Sequence, residues 1–110
     1  MSHVMFRWQF TANATKAMVV APQDRSGPAK ALIDSFGGKL ISYYFAMGEY
    51  DGVGICEFPD TTSAAACSFA AASTGAFARF ETTPLLTAQE AQAAMKRAHD
   101  TKSGYKPPGA

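Results

Sequence analysis

This 110-residue chain has no excess of positive or negative charge, no long apolar run and no cluster of cysteines, and each absence excludes a class of protein. Ten lysines and arginines balance nine aspartates and glutamates, so the chain has no basic surface that would attract nucleic-acid phosphates. No apolar run approaches the roughly 18 residues that a membrane-spanning helix requires. We therefore expect neither a nucleic acid nor a membrane as a partner.

Signatures of metal and cofactor sites are also missing. Cys56 and Cys67 have no histidine nearby, which does not match the ligand spacing of a zinc site. There is no phosphate loop and no G-x-G-x-x-G motif at a helix start. His3 and His99 stand at the chain start and at a helix end, so neither indicates a nucleophile–base pair. We predict no metal and no cofactor.

The chain start and the two cysteines indicate a cytoplasmic protein. The first residues lead directly into an alternating run rather than into the apolar segment of a secretory signal. We expect Cys56 and Cys67 to be reduced and buried as small hydrophobic side chains, although a helix packed on the sheet could bring the two thiols close together.

The patterns that are present predict one folded domain of mixed helices and strands. Hydrophobic residues make up 47% and charged residues 17% of the chain, as in an ordinary globular protein. Period-2 alternation predicts strands, and apolar residues at i, i+3 and i+4 predict helices. In chain order the predicted segments are a strand at 4–10, a helical turn at 12–20, a helix that begins at Pro28 and ends at Gly37, strands at 39–47 and 51–58, a helix at 64–72 capped by Asp60 or Thr61, a strand at 77–83 ended by Pro84, and a helix that begins with a capping box at 87–90.

This order, β-α-β-β-α-β with one added helix, predicts an α+β, ferredoxin-like fold with an antiparallel sheet in the order 4-1-3-2. Arg79 and Glu81 interrupt the apolar pattern of the fourth strand, which predicts an edge position. The apolar stripe of the C-terminal helix, which we expect to pack on the domain, consists of Ala91, Ala94, Met95 and Ala98. The predicted domain spans residues 1–99, and the Gly- and Pro-containing residues 100–110 predict a disordered tail.

The sheet face away from the helices is predicted to be too apolar for water. In the third strand we expect Cys56 and Phe58 to face the helices, whereas Val53 and Ile55 face outward. The second strand carries apolar or aromatic residues on both faces, because alternation places Ile41, Tyr43, Phe45 and Met47 opposite Leu40, Tyr44 and Ala46. We therefore predict a homodimer or larger oligomer in which Val53 and Ile55 form the dimer face.

The glycine spacing of the third strand also resembles the RNA-recognition strand of RNA-binding domains. Val53 and Ile55 stand where aromatic side chains would stack on bases, and Asp51 stands where a basic residue would bind phosphate. Neither stacking nor charge attraction is available, so RNA binding is not expected.

The segment from Gly48 to Asp51, which joins the second and third strands, resembles the signature of the GYD domain family of small bacterial proteins. Further similarity lies at residues 37–39 and 79–82, whereas residues 22–28 and the C-terminal tail match loosely. The resemblance implies a ferredoxin-like fold related to the dimeric α/β barrels. It implies no established activity for the family as a whole.

Six residues are candidates for a ligand site near this hairpin: Arg7, Tyr43, Tyr44, Glu49, Tyr50 and Asp51. In this hypothesis Arg7 anchors a small anion or a carbonyl group. A structural alternative is that residues 49–51 simply form a hairpin turn, with Asp51 bonded to nearby N–H groups. Likewise, the charged residues on neighbouring strands can form a cross-strand salt-bridge set, namely Arg7, Glu57, Arg79 and Glu81.

Two functions fit these residues. The first is a homodimeric small-molecule-binding or regulatory protein without established activity. The second is a cofactor-free oxygenase or isomerase of the dimeric α/β barrel kind, in which Tyr44, Tyr50 or Asp51 acts as acid or base in a cavity between sheet and helices. A closed apolar cavity around Asp51 would favour the enzyme, and an exposed hairpin would favour the binding protein.

Overall fold

A computed structural model describes residues 1–109 as a four-stranded antiparallel sheet with four helices. The elements in chain order are β1 (Ser2–Phe10), α1 (Ala12–Val20), α2 (Ser26–Ser35), β2 (Lys39–Phe45), β3 (Gly52–Phe58), α3 (Thr61–Ala72), β4 (Phe77–Leu85) and α4 (Ala88–Asp100). The strand order is β2-β3-β1-β4, which is the predicted order 4-1-3-2 in reverse. The predicted α+β, ferredoxin-like fold class is confirmed.

The core lies where one face of the sheet meets α2 and α3. Alternate residues of β1 and β3 are buried, because successive side chains of a strand point to opposite faces. The buried hydrophobic residues are Val4, Phe6, Trp8, Ile33, Cys56, Phe58, Ala64, Cys67 and Ala71. Val53 and Ile55 lie on the other face and are half-buried, so their predicted facing is confirmed.

The indole of Trp8 lies over Gly52, its partner in the β1–β3 ladder. A Cβ atom added at Gly52 would come within 2.3 Å of Cζ2 of Trp8, so only glycine leaves room for this ring. The indole stacks with the rings of Tyr43 and Phe80, at centroid distances of 5.6 and 6.3 Å. Trp8 therefore contacts residues of β2, β3 and β4 on the helix-facing side of the sheet.

A register shift in β2 changes which of its side chains share a face. Simple alternation predicts that Leu40 and Tyr43 face opposite sides, and this prediction is wrong. Leu40 pairs with Cys56 and Tyr43 with Gly54, both on the helix side, because the ladder shifts between Leu40 and Ser42. The extra residue of such a bulge reverses the facing of everything that follows it.

Two predicted boundaries are wrong for local reasons. β4 continues through Pro84 rather than ending there, because β4 is the predicted edge strand and an edge tolerates a residue without an N–H group. α2 begins at Ser26, two residues before Pro28. The carboxylate of Asp24 accepts a hydrogen bond from the backbone N–H of Ser26 at 2.9 Å and so starts the helix earlier.

The prediction that the C-terminal helix packs on the domain is wrong. No residue of α4 is buried, and Met95 is 70% exposed. The stripe consists mainly of alanine, whose methyl group buries little area and offers little free energy for docking. The predicted capping box is confirmed, since the Thr87 hydroxyl accepts from the Glu90 N–H and the Glu90 carboxylate accepts from the Thr87 N–H, both at 3.0 Å. α4 therefore stands clear of the sheet.

Residues 101–109 follow α4 without helix or strand. The disorder predicted for residues 100–110 and the domain boundary at residue 99 stay predictions, and Ala110 lies outside the described residues. None of the helices within residues 1–109 combines the length and the apolar character that crossing a bilayer would take.

We predict that Gly52→Ala lowers the free energy of unfolding by about 1–3 kcal/mol, the usual effect of overpacking a core. The added methyl group would overlap the Trp8 ring. Urea unfolding followed by circular dichroism measures the change. Gly27→Ala is the matched control, because Gly27 lies in α2 with no heavy atom within 4 Å of an added Cβ, and alanine should stabilise the helix there. Equal stabilities for the two variants would contradict the packing described for Trp8.

We also predict that the native protein resists thiol reagents. Cys56 and Cys67 are free and buried, and burial raises the pKa of Cys56 to about 12 and of Cys67 to about 11, from an ordinary value of 9.0. Because both thiols have raised pKa values in the folded protein, they contribute to stability below pH 9.0. This contribution is lost as pH rises through their pKa values in the folded state. Ellman's reagent near pH 8 should react slowly with native protein and fully in urea. Rapid reaction of both thiols in native buffer would refute this.

Candidate functional site

The six candidate residues do not form one site, because they are spread over both faces of the sheet and the end of the β2–β3 hairpin. Tyr43 faces the helices beside Trp8, whereas Tyr44 lies on the opposite face of the sheet and is 67% exposed. Asp51 lies at the end of the β2–β3 hairpin, next to β1. The remaining three residues form part of a charged cluster on the open face: Arg7, Glu49 and Tyr50.

Asp51 fastens the hairpin to the end of β1. Its backbone N–H donates to the carbonyl oxygen of Trp8 at 2.7 Å, and its carboxylate accepts from the N–H of Phe10 at 2.8 Å. Its carbonyl oxygen accepts from the N–H of Ala46 at 2.8 Å, which closes the turn. These contacts match the structural alternative for Asp51, and they do not place it in a closed apolar cavity.

The Tyr50 cluster comprises the phenol ring of Tyr50 with Arg7, Arg79, Glu81 and Glu49. The Tyr50 hydroxyl donates to Glu81 at 2.8 Å, and Arg7 donates to the same carboxylate oxygen at 3.0 Å. The guanidinium carbons of Arg7 and Arg79 lie 4.4 and 5.2 Å from the centre of the Tyr50 ring, within cation–π range. Arg79 also bonds Glu49 at 3.1 Å.

The register of the sheet explains this cluster, because Arg7 on β1 lies directly opposite Glu81 on β4. The predicted cross-strand salt bridge is found between Arg7 and Glu81, and Arg79 pairs with Glu81 from the same strand, β4. Glu57 is not part of it, since Glu57 pairs with His3 at 2.9 Å near the other end of β1.

Charges within the Tyr50 cluster are mutually compensated. The hydrogen bond from Tyr50 lowers the pKa of Glu81, and the same bond raises the pKa of Tyr50. Glu81 therefore stays ionised and Tyr50 stays protonated at neutral pH. Two arginines face two carboxylates, so the cluster offers no unpaired positive charge for an anionic ligand.

A cavity of about 440 Å³ lies on the other side of the sheet, between its helix-facing side chains and α1 and α2. Its walls are mainly apolar, and its aromatic lining residues are Phe6, Trp8, Phe10, Tyr43, Phe77 and Phe80. α1 contributes no buried residue, and it lines the cavity with the small side chains of Ala14 and Ala17 and with Met18. The space remains open because these short side chains do not fill it.

Gln23, Arg25 and Tyr43 line the cavity at the end that we call its mouth. These three residues also line a second, shallower depression of about 550 Å³ on the outer surface between residues 23–26 and 43–45. Burial raises the pKa of Tyr43, with the charges of Arg25 and Asp24 as smaller, opposed influences. Inside the cavity wall, Trp8 is 5% exposed and its indole N–H has no acceptor among residues 1–109.

Sequence reasoning found one member of this cavity, Tyr43, and missed Trp8 and Arg25 as site residues. Two signals were available: the only tryptophan of the chain falls on the inward face of β1, and residues 22–28 interrupt the helical pattern with a charged residue. Tyr44, Tyr50 and Asp51 do not line the cavity. Within residues 1–109, no group of three His, Cys, Asp or Glu side chains is placed to hold a metal ion.

Comparison with solved structures finds matches of low sequence identity. The crystal structure of MtbAldR matches with a TM-score of 0.53 at 14% identity, over 96% of this chain and 59% of that chain. This chain therefore spans less than two thirds of MtbAldR, and the likeness concerns the fold alone. The crystal structure of FFRP-DM1 matches with a TM-score of 0.47 at 12% identity, over 78% of this chain and 100% of that chain.

Comparison by sequence identifies the family. No curated protein matches the chain. The model of the GYD domain matches residues 5–95, which includes β1 from Met5 onward, the whole of β2, β3 and β4, and the whole of the Tyr50 cluster. A match over this much of the chain establishes membership, and the resemblance inferred from Gly48 to Asp51 is confirmed. The protein belongs to the GYD domain family.

Proposed function

We propose that this protein is a cytoplasmic, homodimeric small-molecule-binding protein with a regulatory rather than a catalytic role. Its ligand site is the cavity between the sheet and the helices α1 and α2. The single observation that supports the proposal most strongly is the cavity itself, with its apolar walls and its polar mouth.

The size and the walls of the cavity suit a small apolar molecule. A volume of about 440 Å³ falls within the range of roughly 300–1,000 Å³ for ligand sites. The stacked rings of Trp8, Tyr43 and Phe80 provide flat apolar surface, and a ligand there would cover it from water.

The enzyme hypothesis has less support. It needs an acid or base inside the cavity, and it assigned that role to Tyr44, Tyr50 or Asp51. Those residues lie at the open face and the hairpin, where Tyr50 and Asp51 are engaged with Glu81 and with β1. Among the six candidate residues, Tyr43 does line the cavity. Its pKa is raised, so its phenol stays protonated at neutral pH and cannot act as a base.

The homodimer is supported by the open face of the sheet. Met5, Val53 and Ile55 lie there, half-buried in the single chain, and Tyr44 is largely exposed. A second copy packed on this face would cover the apolar side chains in an isologous contact, the commonest symmetry for small proteins. The compensated charges of the Tyr50 cluster lower the penalty for removing that part of the face from water.

We predict that the protein binds the neutral dye N-phenyl-1-naphthylamine and that Ala14→Phe weakens this binding about tenfold or more. Ala14 lines the cavity, and a phenyl ring there would occupy its volume. Dye fluorescence, with quenching of Trp8, measures the affinity. Ala12→Phe is the control, because Ala12 lies on the same helix, is exposed and does not line the cavity. The proposal fails if wild-type protein takes up no dye or if both variants bind it equally.

We further predict that Ile55→Asp halves the mass of the protein in solution without unfolding it. A carboxylate on the open face would have to be buried unpaired in a sheet-to-sheet dimer, which is strongly unfavourable. Light scattering after size exclusion gives the mass, and circular dichroism checks the fold. Val19→Asp, at a 73% exposed site on α1, should leave the mass unchanged. A wild-type monomer in dilute solution would contradict the dimer.

A further inference from the structure

We infer that the ligand is an amphipathic monoanion, with an apolar body inside the cavity and a carboxylate head bound by Arg25 at the mouth. This inference rests on the proposed function and adds the chemical class of the ligand. It follows from the charges around the mouth rather than from the cavity volume.

Arg25 is a positive charge without a negative partner. Arg7, Lys30, Arg79 and Lys96 each have a carboxylate within 4.0 Å, whereas Arg25 and five other lysines and arginines among residues 1–109 have none. Of these unpaired cations, Arg25 is the one that lines the cavity. Its Nη1 atom donates to the side-chain oxygen of Gln23 at 2.8 Å. This bond holds the guanidinium in place and leaves its other N–H groups free to bind a carboxylate through two parallel hydrogen bonds.

Arg25 is also placed so that it can bind an anionic head group while the apolar tail of the same ligand lies in the cavity. It is half-buried, and it lines both the apolar cavity and the outer depression. A ligand with its head at Arg25 would direct its remaining atoms along Tyr43 towards Trp8, since all three residues line the same cavity. The N-terminal end of α2, at which Arg25 is the capping residue, adds a partial positive charge.

The other charge near the mouth limits the ligand to a single negative charge. The carboxylate of Asp24 accepts hydrogen bonds from the backbone N–H and the hydroxyl of Ser26, and these bonds lower the pKa of Asp24. Asp24 is therefore negative at neutral pH and is already occupied. One free cation beside one fixed anion favours a carboxylate over a doubly charged phosphate.

Three probes with the same apolar body test this inference by displacement of the neutral dye: 4-phenylbutanoate, the neutral 4-phenylbutanamide and 4-phenylbutyl phosphate. We expect the acid to bind about tenfold more tightly than the amide, the usual strength of a charge-assisted hydrogen-bond pair. Arg25→Gln should abolish this preference, so that the acid and the amide bind with about equal affinity. Arg97→Gln, on the exposed face of α4, is the matched control and should retain the preference.

Salt dependence gives a second measurement on unmodified protein. Added sodium chloride should weaken binding of the acid and leave binding of the amide unchanged, because exposed charge pairs are screened. Equal affinity of the acid and the amide for wild-type protein would overturn the inference and leave the proposed function intact. Tighter binding of the phosphate than of the acid would overturn the monoanion assignment. Absence of binding by the dye and by all three probes would refute the proposed function itself.

Discussion

The packing of Trp8 against the glycine of β3 is the contact on which the other features depend. Because Gly52 has no side chain, the indole can lie across the sheet and stack with Tyr43 and Phe80 on the flanking strands. The inner face of the sheet thus becomes a continuous aromatic surface. The small alanine side chains of α1 leave a cavity above this surface, and Arg25 lies at its mouth.

The hairpin that carries the family signature holds both faces of the sheet in position. The backbone of Asp51 bonds Trp8, and its carboxylate bonds the N–H of Phe10, so the last turn of the hairpin is fixed to β1. The neighbouring Tyr50 reaches the opposite face and stacks on Arg7. Two adjacent residues of the signature therefore support the cavity side and the open side, which makes a structural role the most direct explanation of both.

The strands and their order could be predicted from the sequence, because alternation and turn residues act locally. The capping box at Thr87 is equally local and was predictable. The bulge after Leu40 could not be predicted, because the register of a strand depends on its neighbour. The prediction for Tyr43 was therefore on the wrong face. The apolar stripe of α4 shows that the helix is amphipathic but not whether it packs on the domain, which it does not. The cavity also could not be predicted from the sequence, because it depends on space that α1 leaves unfilled rather than on a pattern of residues.

Nuclear magnetic resonance of uniformly labelled protein gives the most direct test of the central claim, that the space above Trp8 is a ligand site. On addition of an apolar ligand, the account predicts shifts for the indole N–H of Trp8 and for residues of α1 and α2 that line the cavity. The chemical shifts of the residues of the Tyr50 cluster should stay unchanged. Shifts confined to Arg7, Tyr50 and Glu81, with the Trp8 indole signal unmoved, would contradict the account.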